Sequence, residues 1–196
     1  MARPKRVTLV DVETFGFHFL DDPILEIGLS LRDLELNEMD RFQSCIWDDP
    51  YYQLLKDRHF ERDTVVSKMH QDSGLWEDAF ETGPPSAEVE QALMDWADDH
   101  DINPKEDYLA GSSVHFDSTM MFFNFPRLRE RFHHRLIDVS SVKVIAEMWY
   151  PNTAARLKVE TKPAMKHRVL SDIDDTVSEL RWYLNNILPE GDEPNV

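Results

Sequence analysis

The run Arg6–Val12 alternates apolar and polar positions, is rich in β-branched residues, and reads as a strand that ends in acids. Asp11 and Glu13 stand two positions apart at its end. In a strand, positions i and i+2 project to the same face, so the two carboxylates lie side by side. Half-buried, they repel each other and are costly to desolvate unless a cation sits between them. A divalent metal such as Mg²⁺ or Mn²⁺, which prefers oxygen ligands, removes that cost. The alternative is a solvated strand end, and an Asp-x-Glu pair alone does not decide between the two.

The rest of the chain gives this strand a setting. Pro23–Leu31 reads as a second strand and Phe42–Trp47 as a third, with gaps short enough for a β-meander. Helical patterning begins near Thr64–His70. Pro84-Pro85-Ser86 supplies a stop and an N-cap for a helix over Ala87–Asp98, with Val89, Leu93 and Trp96 on one face. Tyr108–Ser112 reads as a fourth strand and Asp117–Phe132 as a helix broken at Pro126. Arg135–Val139 reads as a fifth strand and Ser140–Trp149 as a helix halted by Pro151. Asn152–Lys166 has loop character, a last helix runs over Val169–Leu188, and residues 190–196 form an acidic tail. Strands first, then alternating strand and helix, predict one α/β domain over residues 1–189 with a five-stranded mixed sheet flanked by helices.

Two more clusters carry chemistry. In Gly111-Ser112-Ser113-Val114-His115-Phe116-Asp117 a strand runs into a small-residue turn, and Asp117 opens the next helix. Asp117 is either an N-cap or a third carboxylate brought to the sheet edge. Near the C-terminus, His167 precedes Asp172 by five residues, on the approach to a helix and one turn into it. A surface histidine with a solvated helical acid is the plain alternative, since Asp174, Asp175 and Glu179 follow. His115, His133 and His134 fit no strong metal-ligand spacing. Trp76, Trp96, Trp149 and Trp182 read as core or interface residues.

Composition narrows the class. The 196 residues include 41% apolar and 30% charged residues, as expected of a soluble domain. No apolar run approaches the roughly 20 residues of a membrane span, and the basic start does not read as a signal peptide. A single cysteine, Cys45, excludes an intrachain disulfide and fits a reducing, cytoplasmic setting. The net charge of −17 opposes long tracking along a nucleic-acid backbone, which needs a basic surface. It favours solubility, or a short substrate held by one or two cationic anchors and metal ions.

Taken in order, Asp-x-Glu on a first strand, an Asp after a Gly-Ser strand end and His-x4-Asp near the C-terminus resemble the DEDDh exonucleases of the RNase H-like superfamily. Within them the chain resembles the oligoribonuclease family over roughly Val7 to Leu184. The matching blocks are Asp-Val-Glu-Thr-Phe-Gly-Phe (11–17), Ile-Leu-Glu-Ile-Gly (24–28), Met-His-Gln-Asp-Ser-Gly-Leu (69–75), Gly-Ser-Ser-Val-His-Phe-Asp (111–117), Phe-His-His-Arg-Leu-Ile-Asp-Val-Ser-Ser-Val-Lys (132–143), Trp-Tyr-Pro (149–151) and His-Arg-Val-Leu-Ser-Asp-Ile (167–173).

The resemblance implies a 3′→5′ exoribonuclease that degrades short single-stranded RNA, down to dinucleotides, to nucleoside 5′-monophosphates. It implies two divalent ions, Mg²⁺ or Mn²⁺, on Asp11, Glu13, Asp117 and Asp172, with His167 as general base; histidine ionises near neutrality, which suits that task. Phe17 stands where the family has an apolar wedge under the bases. His70, Ser73 and Gly74 would lie near the substrate, and Ser113, Arg135 and Ser140 would cap the 5′ phosphate of a dinucleotide. The family is homodimeric, and a tyrosine of one subunit packs on the substrate of the other. His134 replaces that tyrosine, Ser112 replaces an asparagine, and Val65 replaces a tryptophan that many relatives carry. A broader 3′→5′ exonuclease on DNA or longer RNA, a non-catalytic nucleotide-binding module, and an enzyme acting primarily on signalling dinucleotides are the rival readings.

Overall fold

A computed structural model describes residues 5–61, 65–160 and 167–187. Strands β1 (Arg6–Thr14), β2 (Ile24–Asp33) and β3 (Glu38–Cys45) form the expected antiparallel meander. Strands β4 (Leu109–Gly111) and β5 (Leu136–Asp138) extend the sheet from the other edge of β1, in parallel register, giving the order β3-β2-β1-β4-β5. The helices are α1 (Tyr51–Glu61), α2 (Val65–Asp72), α3 (Leu75–Thr82), α4 (Ser86–Asp99), α5 (His115–Asn124), α6 (Pro126–Arg129), α7 (Val139–Trp149), α8 (Pro151–Glu160) and α9 (Val169–Asn186). The five-stranded mixed sheet flanked by helices is therefore as expected.

Residue alternation along β1 explains where the two layers form. Val10 and Val12 enter a core with Trp76, Leu93, Met120 and Phe125. Val7 and Leu9 point to the opposite face and pack with Val139, Ala146, Ile173, Val177 and Tyr183. Period-two geometry carries that second face onward to Asp11 and Glu13, so the acids lie on the α9 side of the sheet. On β2, Glu26 and Gly28 pair in register with Glu13 and Asp11 and share that side. The face of β2 beneath α9 is thus Glu26, Gly28, Ser30 and Arg32, all buried.

Several boundaries differ from expectation. Strand β3 starts at Glu38, four residues before Phe42, because its first half (Glu-Met-Asp-Arg) is a largely exposed edge without an apolar signal. Ser86 is not the cap of α4. Pro85 holds that position, and the Ser86 amide, at the first helical position, donates to Asp48 Oδ1 at 2.9 Å. The helix expected over Asp117–Phe132 is two helices, α5 and α6, with the break at Phe125-Pro126. Most of the expected loop Asn152–Lys166 is helix α8. Proline at the first helical position is compatible with starting a helix, and Ala154 and Leu157 pack one turn apart into the α9 layer. Residues 161–166 and the acidic tail 190–196 lie outside the described residues, as does Leu188. Among the described residues no helix is long and apolar enough to cross a membrane.

Candidate active site

Strand β1 delivers Asp11 and Glu13, and the first turn of α9 delivers Asp172. One carboxylate oxygen from each lies within 4.8 Å of the others. Asp117 approaches from α5. It does not cap that helix. It is the third residue of α5, and its Oδ1 accepts the Val12 amide at 3.0 Å. That bond links the start of α5 to the middle of the acidic run on β1, and leaves Asp117 buried.

Four acids so close cannot all stay ionised without compensation. Burial pushes the Asp11 carboxyl well above the usual range, and the charges of Asp117, Glu13 and Asp172 push it further. Glu13 is raised to about 8, first by burial and then by Asp172, Glu26 and Asp117, with Arg168 opposing. Asp117 is raised chiefly by burial, against the pull of the Val12 amide. Asp172 is raised by burial against the pull of His167. An all-oxygen group whose members repel each other is chemically suited to a hard divalent cation, which restores the ionised form of each acid.

His167 is half-buried and has a positive φ of 51°, immediately before α9. The next residue, Arg168, reaches back to β2. Its guanidinium donates from Nη2 to Glu26 Oε1 at 2.9 Å and from Nε to both Glu26 oxygens at 3.2 and 3.1 Å. In the sequence analysis neither Arg168 nor Glu26 has a role. The available signal was a glutamate inside the apolar strand Ile-Leu-Glu-Ile-Gly, since such a charge needs a partner.

His70 is not an open substrate contact. Its ring is fully buried. Nε2 donates to the Thr14 carbonyl at 2.8 Å, and Nδ1 lies 3.8 Å from Glu13 Oε2. The imidazole packs edge-on against Trp76 and braces the end of β1 from behind. Ser73 and Gly74 follow in the turn between α2 and α3. The Ser73 hydroxyl donates to the His70 carbonyl at 3.3 Å, and Gly74 has φ 74°. Phe17, in contrast, is 73% exposed on the loop after Glu13, with its ring edge-to-face against Phe116 at 6.1 Å. Phe19 also packs on Phe116, at 5.5 Å, so three phenyl rings join the loop after β1 to the start of α5.

A hydroxyl cluster forms where β4 and β5 end. Ser140 Oγ lies 3.0 Å from Ser112 Oγ and 3.1 Å from Ser113 Oγ. Asp138 Oδ1 organises it by accepting the Ser113 and Ser140 amides at 3.1 and 3.0 Å. Arg135 and His134 are exposed in the connection between α6 and β5. His134 stacks on His133 at 4.2 Å and lines an open groove with Phe122, Arg129 and Phe132. Asp11 and Glu13 lie in the carboxyl-terminal half of β1, and the serines and Asp138 sit at or beyond the carboxyl ends of β4 and β5, where open α/β sheets bind ligands.

Comparison with known proteins agrees with this geometry. A profile of the RNase T exonuclease family matches residues 8–180. The chain is 30% identical over 182 residues to an oligoribonuclease of Corynebacterium glutamicum, covering 93% of this chain and 80% of that protein. It is 31% identical over 186 residues to a probable oligoribonuclease of Dictyostelium discoideum, covering 92% and 90%. Among solved structures, exonuclease I of Methylocaldum szegediense superposes with a TM-score of 0.64 at 17% identity, covering 92% of this chain. Escherichia coli exonuclease I bound to a dT13 oligonucleotide gives 0.62 at 14% identity. The chain spans 40% and 41% of the length of those two proteins, so they speak for the fold.

Proposed function

Because the chain belongs to the RNase T exonuclease family and, within it, to the oligoribonucleases, we propose that it removes nucleoside 5′-monophosphates from the 3′ end of short single-stranded RNA, down to dinucleotides. The observation that carries this reading is the convergence of Asp11, Glu13 and Asp172 within 4.8 Å, with Asp117 bonded to the same strand. These four residues would hold two divalent ions, Mg²⁺ or Mn²⁺. When bound, such ions neutralise the charge of a phosphodiester and make water nucleophilic at neutral pH. His167 takes the proton from the attacking water. The water oxygen bonds to phosphorus, the bond from phosphorus to the 3′-oxygen of the penultimate nucleotide breaks, that oxygen takes up a proton, and the phosphate stays on the 5′ oxygen of the released terminal nucleoside.

The surroundings support a short substrate. Phe17, backed by Phe116 and Phe19, offers an apolar face to the bases. Ser113, Ser140 and the fork of Arg135 cap the 5′ phosphate. With a net charge of −17 the chain gains little from a long backbone, so affinity rests on these few contacts. Ser73 and Gly74 complete the wall beyond Glu13, while His70 serves the site by holding that acid.

We further propose a single domain over residues 1–189, in a cytoplasmic homodimer. Val144, Ile145, Met148, Trp149 and Tyr150 leave α7 and its end with an exposed apolar face, which suits a second copy of the chain. His134 would then reach the partner's substrate, in the place of the family tyrosine. The test compares dinucleotide, seven-mer and longer RNA with the matching DNA, each labelled at the 5′ end. The proposal expects the highest kcat/KM on the RNA dinucleotide. Faster turnover of long strands or of DNA would replace it with a broader exonuclease.

A further inference from the structure

The Ile-Leu-Glu-Ile-Gly block has no chemical role in the mechanism, yet it holds a fully buried carboxylate. Glu26 sits opposite Glu13 in the β1–β2 register, beneath the start of α9. Its carboxylate is engaged on every side. Arg168 donates to both oxygens, Gln43 Nε2 donates to Oε1 at 2.6 Å, and the Val169 amide lies 3.4 Å from Oε2. Arg168 also donates from Nη1 to Asp78 Oδ2 at 2.5 Å. One guanidinium therefore ties β2, α3 and the entry to α9 together.

Two residues along the same face, Gly28 completes the seat. A Cβ at Gly28 would fall 2.8 Å from Cβ and Cγ2 of Val169. Only bare backbone lets α9 approach β2 this closely. The seated segment begins with His167, in its left-handed conformation, and runs through Asp172.

We infer that Glu26 and Arg168 are positioning residues, whose fork fixes the His167 backbone and the first turn of α9 so that His167 and Asp172 meet Asp11 and Glu13. Lysine in place of Arg168 keeps the charge but cannot grip both oxygens. The inference rests on the proposed roles of those four residues. A purely stabilising pair would have a different signature, because its loss would loosen α9 as a whole.

The test uses Arg168→Lys, Glu26→Gln and the double variant. It reads kcat and KM on short RNA, thermal melting, and amide hydrogen exchange of the metal-free protein. Misplacing a catalytic group by a fraction of an ångström lowers kcat, so Arg168→Lys should lose about tenfold or more in kcat, with KM within about twofold. Amides 167–172 should exchange faster while those of 176–186 keep their protection. The double variant should be no worse than the poorer single one, because both remove the same interaction. Unchanged kcat and unchanged local exchange in Arg168→Lys would overturn the inference. So would faster exchange spread evenly along α9 in step with a lower melting temperature. If Glu26→Gln fails to fold, Arg168→Lys still decides. Should the wild type hydrolyse no oligonucleotide, the proposed activity falls, while the exchange measurements still test whether the fork orders residues 167–172.

Discussion

His70 Nδ1 lies 3.8 Å from Glu13 Oε2, at the back of the acidic group and out of reach of solvent. The Thr14 carbonyl can only accept, so Nε2 carries a proton and the other ring nitrogen is turned toward the glutamate. The histidine thus fixes the backbone at the end of β1 and stands behind the side chain of one metal-ligand candidate. His70→Ala leaves the Thr14 carbonyl without that donor and opens a cavity. Together these effects should cost about 2–4 kcal/mol of stability. Thermal melting measures that cost, and calorimetric titration with Mn²⁺ should show weaker binding because Glu13 loses its brace. Unchanged Mn²⁺ affinity would remove the bracing role.

The acidic group should make the metal-free protein less stable as the pH rises. Glu13 moves from its ordinary 4.5 to about 8 in the folded chain. Between those values the folded state holds a proton that the unfolded state has released, so stability falls with increasing pH, by at most about 1.4 kcal/mol per pH unit for each such group. The contribution is fully present below pH 4.5 and is lost as the pH passes through about 8. The raised Asp11, Asp117 and Asp172 act in the same direction. Melting curves in a chelator at pH 6 and pH 8 should therefore show the lower temperature at pH 8, with a shallower slope in Glu13→Gln. Added Mg²⁺ or Mn²⁺ should raise the melting temperature more at pH 8, where fewer protons compete. Equal slopes in the two proteins would contradict the electrostatic account.

Much of this site is legible in the sequence because it depends on local spacing. Asp11 and Glu13 share a face by the period of a strand, and Asp172 falls within the first turn of a helix whose start is readable. Other features depend on contacts between distant segments. Nothing local discloses that His70 is buried against β1, because the Thr14 carbonyl that receives its proton lies 56 positions away. Glu26 and Arg168 are 142 positions apart, so neither residue alone discloses the fork. Asp117 appears as a helix cap until β1 supplies the Val12 amide that it accepts. Helix α8 is hidden in the sequence because its proline reads equally as the end of one helix and the start of the next.

The apolar face of α7 carries a prediction about assembly. Trp149 is 64% exposed, so replacing it should not disturb the fold of one copy. Trp149→Glu places a charge where the second subunit is proposed to dock, and burying that charge is costly. Size-exclusion chromatography with light scattering should give a dimer for the wild type and a monomer for the variant, with far-UV circular dichroism unchanged. A wild-type monomer at micromolar concentration would exclude the homodimer.

The central claim is that Asp11 and its three neighbouring acids form a metal-dependent hydrolytic site. It is tested most directly by following RNA dinucleotide hydrolysis with Mg²⁺ or Mn²⁺ by the wild type and by Asp11→Ala, at matched concentrations of folded protein. Loss of a residue that acts as part of a unit costs orders of magnitude, so Asp11→Ala should retain less than about one hundredth of wild-type kcat/KM, and a chelator should abolish wild-type turnover. Near wild-type hydrolysis by Asp11→Ala, or wild-type turnover that survives the chelator, would contradict it.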